Sequence, residues 1–123
     1  MKIKEAILQH MVSHLLQMCQ TELEIEHLPP IMLVDEPCIH SNGKNTFGEF
    51  NGHTIKVVTM NRHPIDVLRT LAHELVHWKQ QSEHMEMDGS DGSETENQAN
   101  AVAGIILRRF SEKYPEYFID SLP

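Results

Sequence analysis

Two histidines and a glutamate stand at a spacing that suits metal chemistry, in the segment His73-Glu-Leu-Val-His77. On a helix, positions i and i+4 lie one above the other on the same face, so two imidazoles can reach one metal ion. Glu74 lies to the side of that face, from which a carboxylate can take a proton from a water molecule that the metal activates. The spacing therefore predicts a zinc site with His73 and His77 as ligands and Glu74 as general base. The alternative is a pair of surface histidines on an amphipathic helix.

A catalytic zinc ion usually takes three protein ligands, so a third side chain must come from elsewhere in the chain. Five downstream residues could supply it: His84, Asp88, Asp91, Glu94 and Glu96. His84 lies about two turns beyond His77 on the same predicted helix, which is too far along the axis to share an ion. Asp88 and Asp91 fall in a glycine-rich segment, a poor place from which to hold a ligand accurately.

Glu96 is the strongest candidate for the third ligand. It is in phase with Ala99 on the apolar face of a later predicted helix, whereas Glu94 is out of phase with that face. Asn100 lies one turn after Glu96, and its amide could accept the N–H of a liganding histidine and fix its tautomer. Glu96 also has an alternative role, because it could close a capping box with Ser93 at the start of its helix.

Periodicity predicts an α+β fold around these residues. An N-terminal helix is indicated by apolar residues that recur every three or four positions: Ile3, Ile7, Met11, Leu15 and Met18. Residues 31–34 predict a short buried strand, and residues 37–45 predict a loop. The pair Asn51-Gly52 lies between strand-like runs at 46–50 and 53–59, which predicts a hairpin whose two turn residues both take positive φ. The expected sheet has about three strands.

Two further helices are expected after the sheet. Pro64 suits the first turn of a helix that carries both histidines and runs to about His84. Residues 85–93 predict an acidic loop, and the helix that follows carries Glu96 and ends at Pro115. Gly104 would let this later helix approach a neighbour closely.

The two motifs together resemble those of known zinc peptidases. His73-Glu-Leu-Val-His77 followed by Glu96-Asn-Gln-Ala99-Asn100-Ala-Val-Ala103 is similar to the gluzincins, and its second segment is similar to the ImmA/IrrE-type metallopeptidases. The run Leu71-Ala-His-Glu-Leu-Val-His77 resembles, more weakly, the SprT-like zincins. The resemblance covers about residues 46–110. It implies a minimal zincin-like core, a zinc-dependent endopeptidase with Glu96 as third ligand, and a last strand that lines the cleft.

These features predict zinc-dependent hydrolysis of peptide bonds, in which Glu74 takes a proton from the attacking water and passes it to the leaving amine. The run 53–59 is expected to bind a substrate strand through backbone hydrogen bonds. His53, at the start of that run, is a candidate donor to the oxyanion, although a plain strand-end histidine beside a turn is the simpler interpretation. Two alternatives stay open: a catalytically silent zinc-binding regulator or interaction module, and a structural zinc protein. A structural site has no use for a glutamate at position 74.

Length and composition limit the remaining possibilities. The 123 residues are enough for one domain, taken as residues 1–123. The formal net charge of −8 argues against nucleic-acid binding, which depends on clustered Lys and Arg. No apolar run is long enough for a membrane span, and the N-terminus lacks a signal-peptide pattern. We therefore expect a cytoplasmic protein with reduced Cys19 and Cys38 that acts on a protein or peptide substrate, in an oligomeric state that the sequence leaves open.

Overall fold

A computed structural model describes residues 2–36, 38–39, 45–83 and 93–119, which form an α+β fold as the sequence predicts. In chain order the elements are α1 (Lys2–Glu22), β1 (Ile31–Val34), β2 (Cys38–Ile39), β3 (Asn45–Thr46), β4 (Gly48–Phe50), β5 (Ile55–Val58), α2 (Pro64–Ser82), α3 (Glu94–Lys113) and α4 (Glu116–Ile119). A mixed sheet of three strands, β1, β4 and β5, packs beside these helices. Among the described helices, none combines the length and the apolar character that crossing a membrane requires.

Strand β5 is the centre of the three-stranded sheet. It pairs in parallel with β1, from Ile31 with Ile55 onwards, and antiparallel with β4 on its other side. The expectation that residues 53–59 would pair with a substrate strand is therefore wrong, because both edges of β5 already have partners. The edges of this sheet are β1 and β4. The prediction that residues 31–34 are buried is also wrong, since β1 is an edge strand on which Met32 is 48% exposed.

The predicted hairpin is confirmed, but its turn is not the expected two-residue type. Phe50 pairs with Ile55, so four residues join β4 to β5. Gly52 has a φ of +95°, whereas Asn51 does not take positive φ. The side chain of Asn51 instead accepts the backbone N–H groups of His53 and Thr54 at 2.9 and 2.8 Å. This local side-chain acceptor stabilises the longer turn and removes the need for a second residue with positive φ.

Part of the segment 37–45 forms strands, whereas the sequence predicts a loop throughout. Cys38–Ile39 pairs antiparallel with Asn45–Thr46 to form a separate two-stranded sheet. Phe47 alone separates this small sheet from β4. Residues 37 and 40–44, the remainder of the predicted loop, lie outside the described residues.

Helix α2 begins and ends close to the predicted positions. Pro64 occupies its first turn, and His63 Nδ1 accepts the N–H of Ile65 at 3.1 Å in place of an intrahelical partner. The helix ends at Ser82, and His84 lies outside the described residues, as does the predicted acidic loop up to residue 92. Its apolar face enters the core through fully buried leucines, Leu68, Leu71 and Leu75.

Helix α3 packs more extensively against α2 than against any other element. Ser93 Oγ accepts the N–H of Glu96 at 3.2 Å, so the predicted N-cap is present. Ala99, Ala103 and Phe110 are buried on the inward face. Gly104 lies on the exposed side, where an added Cβ would meet nothing within 4 Å. The expected close approach at Gly104 is therefore wrong, and the small residues at the α2–α3 contact are the two alanines.

Candidate metal centre

Helices α2 and α3 bring two imidazoles and one carboxylate together. His73 Nε2 and His77 Nε2 lie 3.2 Å apart, as neighbours one helical turn from each other. Glu96 faces both rings, with its two oxygens 3.2 Å from His73 Nε2 and 2.5 Å from His77 Nε2. One possible ligand atom from each residue lies within 4.8 Å of the others, so the group could hold a metal ion. We call these three residues the cluster.

The composition of the cluster suits zinc. Two imidazole nitrogens and a carboxylate oxygen are typical ligands of zinc, and three protein ligands leave one position of a tetrahedral ion open. His73 and Glu96 are partly exposed, with 17% and 21% of their side chains accessible, whereas His77 is buried. The cluster is therefore neither enclosed nor fully solvated.

Gln80 fixes the orientation of His77, and it was not among the residues singled out from the sequence. It is 1% exposed, and its Oε1 lies 2.7 Å from His77 Nδ1. Its Nε2 donates to Thr95 O at 3.0 Å and to Gln98 Oε1 at 2.7 Å. Because both acceptors face the amide nitrogen, the amide oxygen must face His77. His77 then carries its proton on Nδ1, which leaves the lone pair of Nε2 directed at the cluster.

The side chain of Asn100, one turn after Glu96, interacts with the other histidine, His73. This interaction raises the pKa of His73, as an amide oxygen that accepts the imidazole N–H would do, and the supporting role of Asn100 stays a prediction. Burial nevertheless lowers the pKa of His73, while Glu96 and Asn100 act in the opposite direction. A histidine that binds a metal must be neutral, so the net direction of this shift suits a ligand.

Glu74 lies beside the cluster without belonging to it. It is 8% exposed, and burial raises its pKa to about 8, with smaller contributions from the charges of Glu96 and Glu49. No ion pair within the described residues involves Glu74. The metal-free site therefore favours a neutral carboxyl group, and a nearby dication would lower this pKa again.

Strand β4 makes room for Glu74 through a glycine, a second feature that the sequence did not indicate. A Cβ on Gly48 would lie 2.5 Å from Thr70 Cγ2 and 3.1 Å from Glu74 Oε2. Any larger residue would therefore displace the glutamate or push the strand away. The only signal in the sequence is the glycine itself within a strand-like run, which can mark a close approach.

The other predicted residues lie apart from the cluster or outside the described ranges. His53 is exposed in the β4–β5 turn, and no hydrogen bond or ion pair of the described residues joins its side chain to the cluster. Its role as an oxyanion donor stays a prediction. Glu94 is exposed at the start of α3 and is not part of the cluster. His84, Asp88 and Asp91 lie outside the described residues.

Comparisons of the chain with protein-family models, with curated proteins and with solved structures found no match. The resemblance to the gluzincins therefore stays a prediction from the two motifs.

Proposed function

We propose that this protein is a zinc-dependent endopeptidase on a zincin-like core. The observation that carries the proposal is the convergence of His73, His77 and Glu96, with Glu74 held beside them by burial against Gly48. A group of ligands could serve structure alone, but a structural site does not need a buried glutamate next to it. A carboxylate with a perturbed pKa beside a possible metal site is typical of a general base.

Each residue has a separate task in this proposal. His73, His77 and Glu96 would hold the ion, while Gln80 and Asn100 keep the two rings in the orientation that binding requires. When bound by these residues, zinc would supply Lewis-acid chemistry for a scissile carbonyl and for a water molecule near neutral pH. Glu74 accepts the proton of the attacking water and returns it to the leaving amine.

The free edge of the sheet beside Glu74 offers a place for the substrate. Among the described strands, β4 pairs only with β5, and Gly48 on β4 lies against Glu74. The Thr46 hydroxyl donates to the carbonyl oxygen of Gly48 at 2.9 Å and accepts its N–H at 3.5 Å, so a peptide at this edge would have to displace the Thr46 side chain. An extended peptide could align along this edge through backbone hydrogen bonds, which recognise the chain without selecting its side chains. The edge strand β4 thus replaces the central strand β5 in the role first expected of residues 53–59.

The proposal is tested by measuring metal content and peptide hydrolysis together. The purified protein should contain about one zinc per chain, and His73→Ala or His77→Ala should remove most of it. Glu74→Gln should keep the zinc and lose hydrolysis of a degenerate peptide library by roughly 10²–10⁴-fold. Full zinc occupancy in both histidine variants contradicts the site. Zinc-loaded wild-type protein that cuts no peptide contradicts the peptidase and favours a silent regulator.

The third ligand is tested by metal titration of variants on α3. Glu96→Ala should weaken zinc binding strongly, because it removes a ligand. Asn100→Ala should weaken it by about 10–100-fold, because it only orients His73. Glu94→Ala is the matched control, since it removes the same charge two residues away from Glu96 on an exposed side chain. Wild-type affinity in Glu96→Ala would falsify the ligand assignment.

A further inference from the structure

An open groove of about 350 Å³ lies between α2, α3 and α4. Its lining combines two arginines with apolar side chains and a glycine: Ile65, Arg69, Gly104, Leu107, Arg108, Ser111 and Phe118. At Gly104 an added Cβ would meet nothing within 4 Å, so the missing side chain contributes to the width of the groove. We call this feature the arginine groove.

The arginine groove lies next to the cluster along the contact between α2 and α3. Along α3, Glu96 faces His77 and Asn100 bonds to His73. Gly104 and Arg108 follow Asn100 at intervals of four residues and therefore lie on the same face of α3. Arg69 and Ile65 precede His73 at the same interval on α2. The groove and the cluster are consequently neighbouring parts of one surface, formed where α2 and α3 run side by side.

The two arginines of the groove have no anionic partner in the described part of the chain. Neither Arg69 nor Arg108 forms an ion pair or a side-chain hydrogen bond there. The adjacent Arg109 differs, because its guanidinium pairs with Glu22 on α1. The chain has a formal net charge of −8, with 18 acidic side chains against 10 basic ones. Two unpaired arginines from different helices, in one groove of an acidic protein, are complementary to an anion.

We propose that the arginine groove binds the side-chain carboxylate of an aspartate or glutamate in the polypeptide substrate, close to the bond that is cut. This inference rests on the proposed peptidase function and specifies its substrate class. Arg69 and Arg108 supply the planar, charged donors that match a carboxylate. Ile65, Leu107 and Phe118 supply an apolar surface for the methylene groups of the bound residue.

The helical spacing fixes which substrate positions can reach the groove. Arg69 lies four residues from His73, or about 6 Å along α2, and Arg108 lies eight residues from Asn100, or about 12 Å along α3. An extended peptide advances about 3.3 Å per residue. The acidic residue should therefore lie within about four residues of the scissile bond. An acidic residue farther away gains no contact with either arginine.

The test uses a degenerate peptide library with both ends blocked, digested by the zinc-loaded protein and read by mass spectrometry of the products. Wild type should enrich Asp and Glu about tenfold at one position within about four residues of the cut. Arg69→Gln and Arg108→Gln should each reduce this enrichment, and the double variant should abolish it. Zinc content and the cutting of peptides without acidic residues should stay within about twofold. Arg109→Gln is the matched control, with the same charge change outside the groove, and it should keep the enrichment.

The outcomes separate this inference from the proposed function. Cleavage without acidic enrichment, or enrichment that persists in the double variant, overturns the groove assignment and leaves the peptidase standing. A second library with free C-termini tests the other source of a carboxylate. Cleavage confined to the ends of those free chains overturns the assignment to an acidic side chain. An absence of cleavage by zinc-loaded wild type overturns the peptidase itself, and the groove assignment with it.

Discussion

Replacing Gln80 by methionine removes the hydrogen bonds that join His77 to α3 while keeping a side chain of similar length and volume. In the native protein, the amide oxygen lies 2.7 Å from His77 Nδ1, and the amide nitrogen donates to Thr95 O and Gln98 Oε1. Methionine has a thioether that accepts hydrogen bonds only weakly. The substitution therefore tests whether the proton on His77 Nδ1 needs an acceptor.

The expected loss of stability in Gln80→Met depends on which groups lose their hydrogen-bond partner. Gln98 is exposed and can turn to water, and Thr95 O can still accept a helical bond within α3. His77 is 8% exposed, so its Nδ1–H is left without an acceptor at a cost of ~2 kcal/mol in the free energy of unfolding. The ring can also change tautomer and place its proton on Nε2, the atom that faces Glu96. The affinity for zinc should then fall by about 10–100-fold.

Two measurements separate the structural effect from the effect on the metal. Urea denaturation of the metal-free variant gives the change in stability, and competition with a zinc-binding dye gives the change in affinity. Gln81→Met is the matched control, because Gln81 is exposed and, among the described residues, its side chain makes one hydrogen bond, from its Nε2 to Gly52 O. It should change the zinc affinity by less than about twofold. A Gln80→Met protein that loses stability but binds zinc like wild type refutes the orienting role of Gln80.

Two further predictions concern the surroundings of Glu74. Gly48→Ala places a Cβ 2.5 Å from Thr70 Cγ2 and 3.1 Å from Glu74 Oε2. The substitution should therefore lower the free energy of unfolding by ~1–3 kcal/mol, and it should reduce peptide hydrolysis more than it reduces zinc content. Gly104→Ala, in open space, should instead gain ~0.5–1 kcal/mol, and equal effects at both glycines would contradict the steric argument. Because burial raises the pKa of Glu74 to about 8, the stability associated with its bound proton is lost as pH rises from about 4.5 to 8. Glu74→Gln should remove this loss, so at pH 8 the metal-free variant should be more stable than metal-free wild type by on the order of 3 kcal/mol in urea denaturation. A wild type that is at least as stable as the variant at pH 8 refutes the raised pKa of Glu74.

The cluster could be predicted from the sequence because each member follows a rule of helical phase. His73 and His77 are one turn apart, and Glu96 is in phase with a buried alanine, Ala99. The residues that support the cluster follow no such rule. Gln80 acts through Thr95 and Gln98, which are 15 and 18 residues away, so its role depends on how α2 packs against α3. Its spacing of three residues from His77 was a weak signal, shared by many helical pairs.

In the sheet, too, the features that depend on neighbouring residues were predictable, whereas those that depend on contacts between distant residues were not. The hairpin was predictable because Asn51 and Gly52 determine the backbone conformation of the turn in which they lie. The order β1-β5-β4 was not, because the parallel pairing of Ile31 with Ile55 joins residues that are separated along the chain by the second small sheet and by β4. Local alternation indicates that a segment is a strand without indicating which strand becomes central. The expected substrate edge was assigned to the wrong strand for this reason.

The arrangement of charges provides a further argument for a cation at this place. Three carboxyl groups, Glu49, Glu74 and Glu96, are close enough for the first and the last to raise the pKa of Glu74. Like charges brought together in a partly buried region oppose folding unless a proton or a cation compensates them. The described chain supplies no lysine or arginine to any of the three as an ion-pair partner. It supplies His73 and His77 instead, which bind metal ions when they are neutral. A dication held by His73, His77 and Glu96 would stabilise the ionised forms of Glu96 and of the neighbouring Glu74 together, whereas one bound proton neutralises a single carboxylate, and this arrangement of charges is consistent with the metal site that we propose.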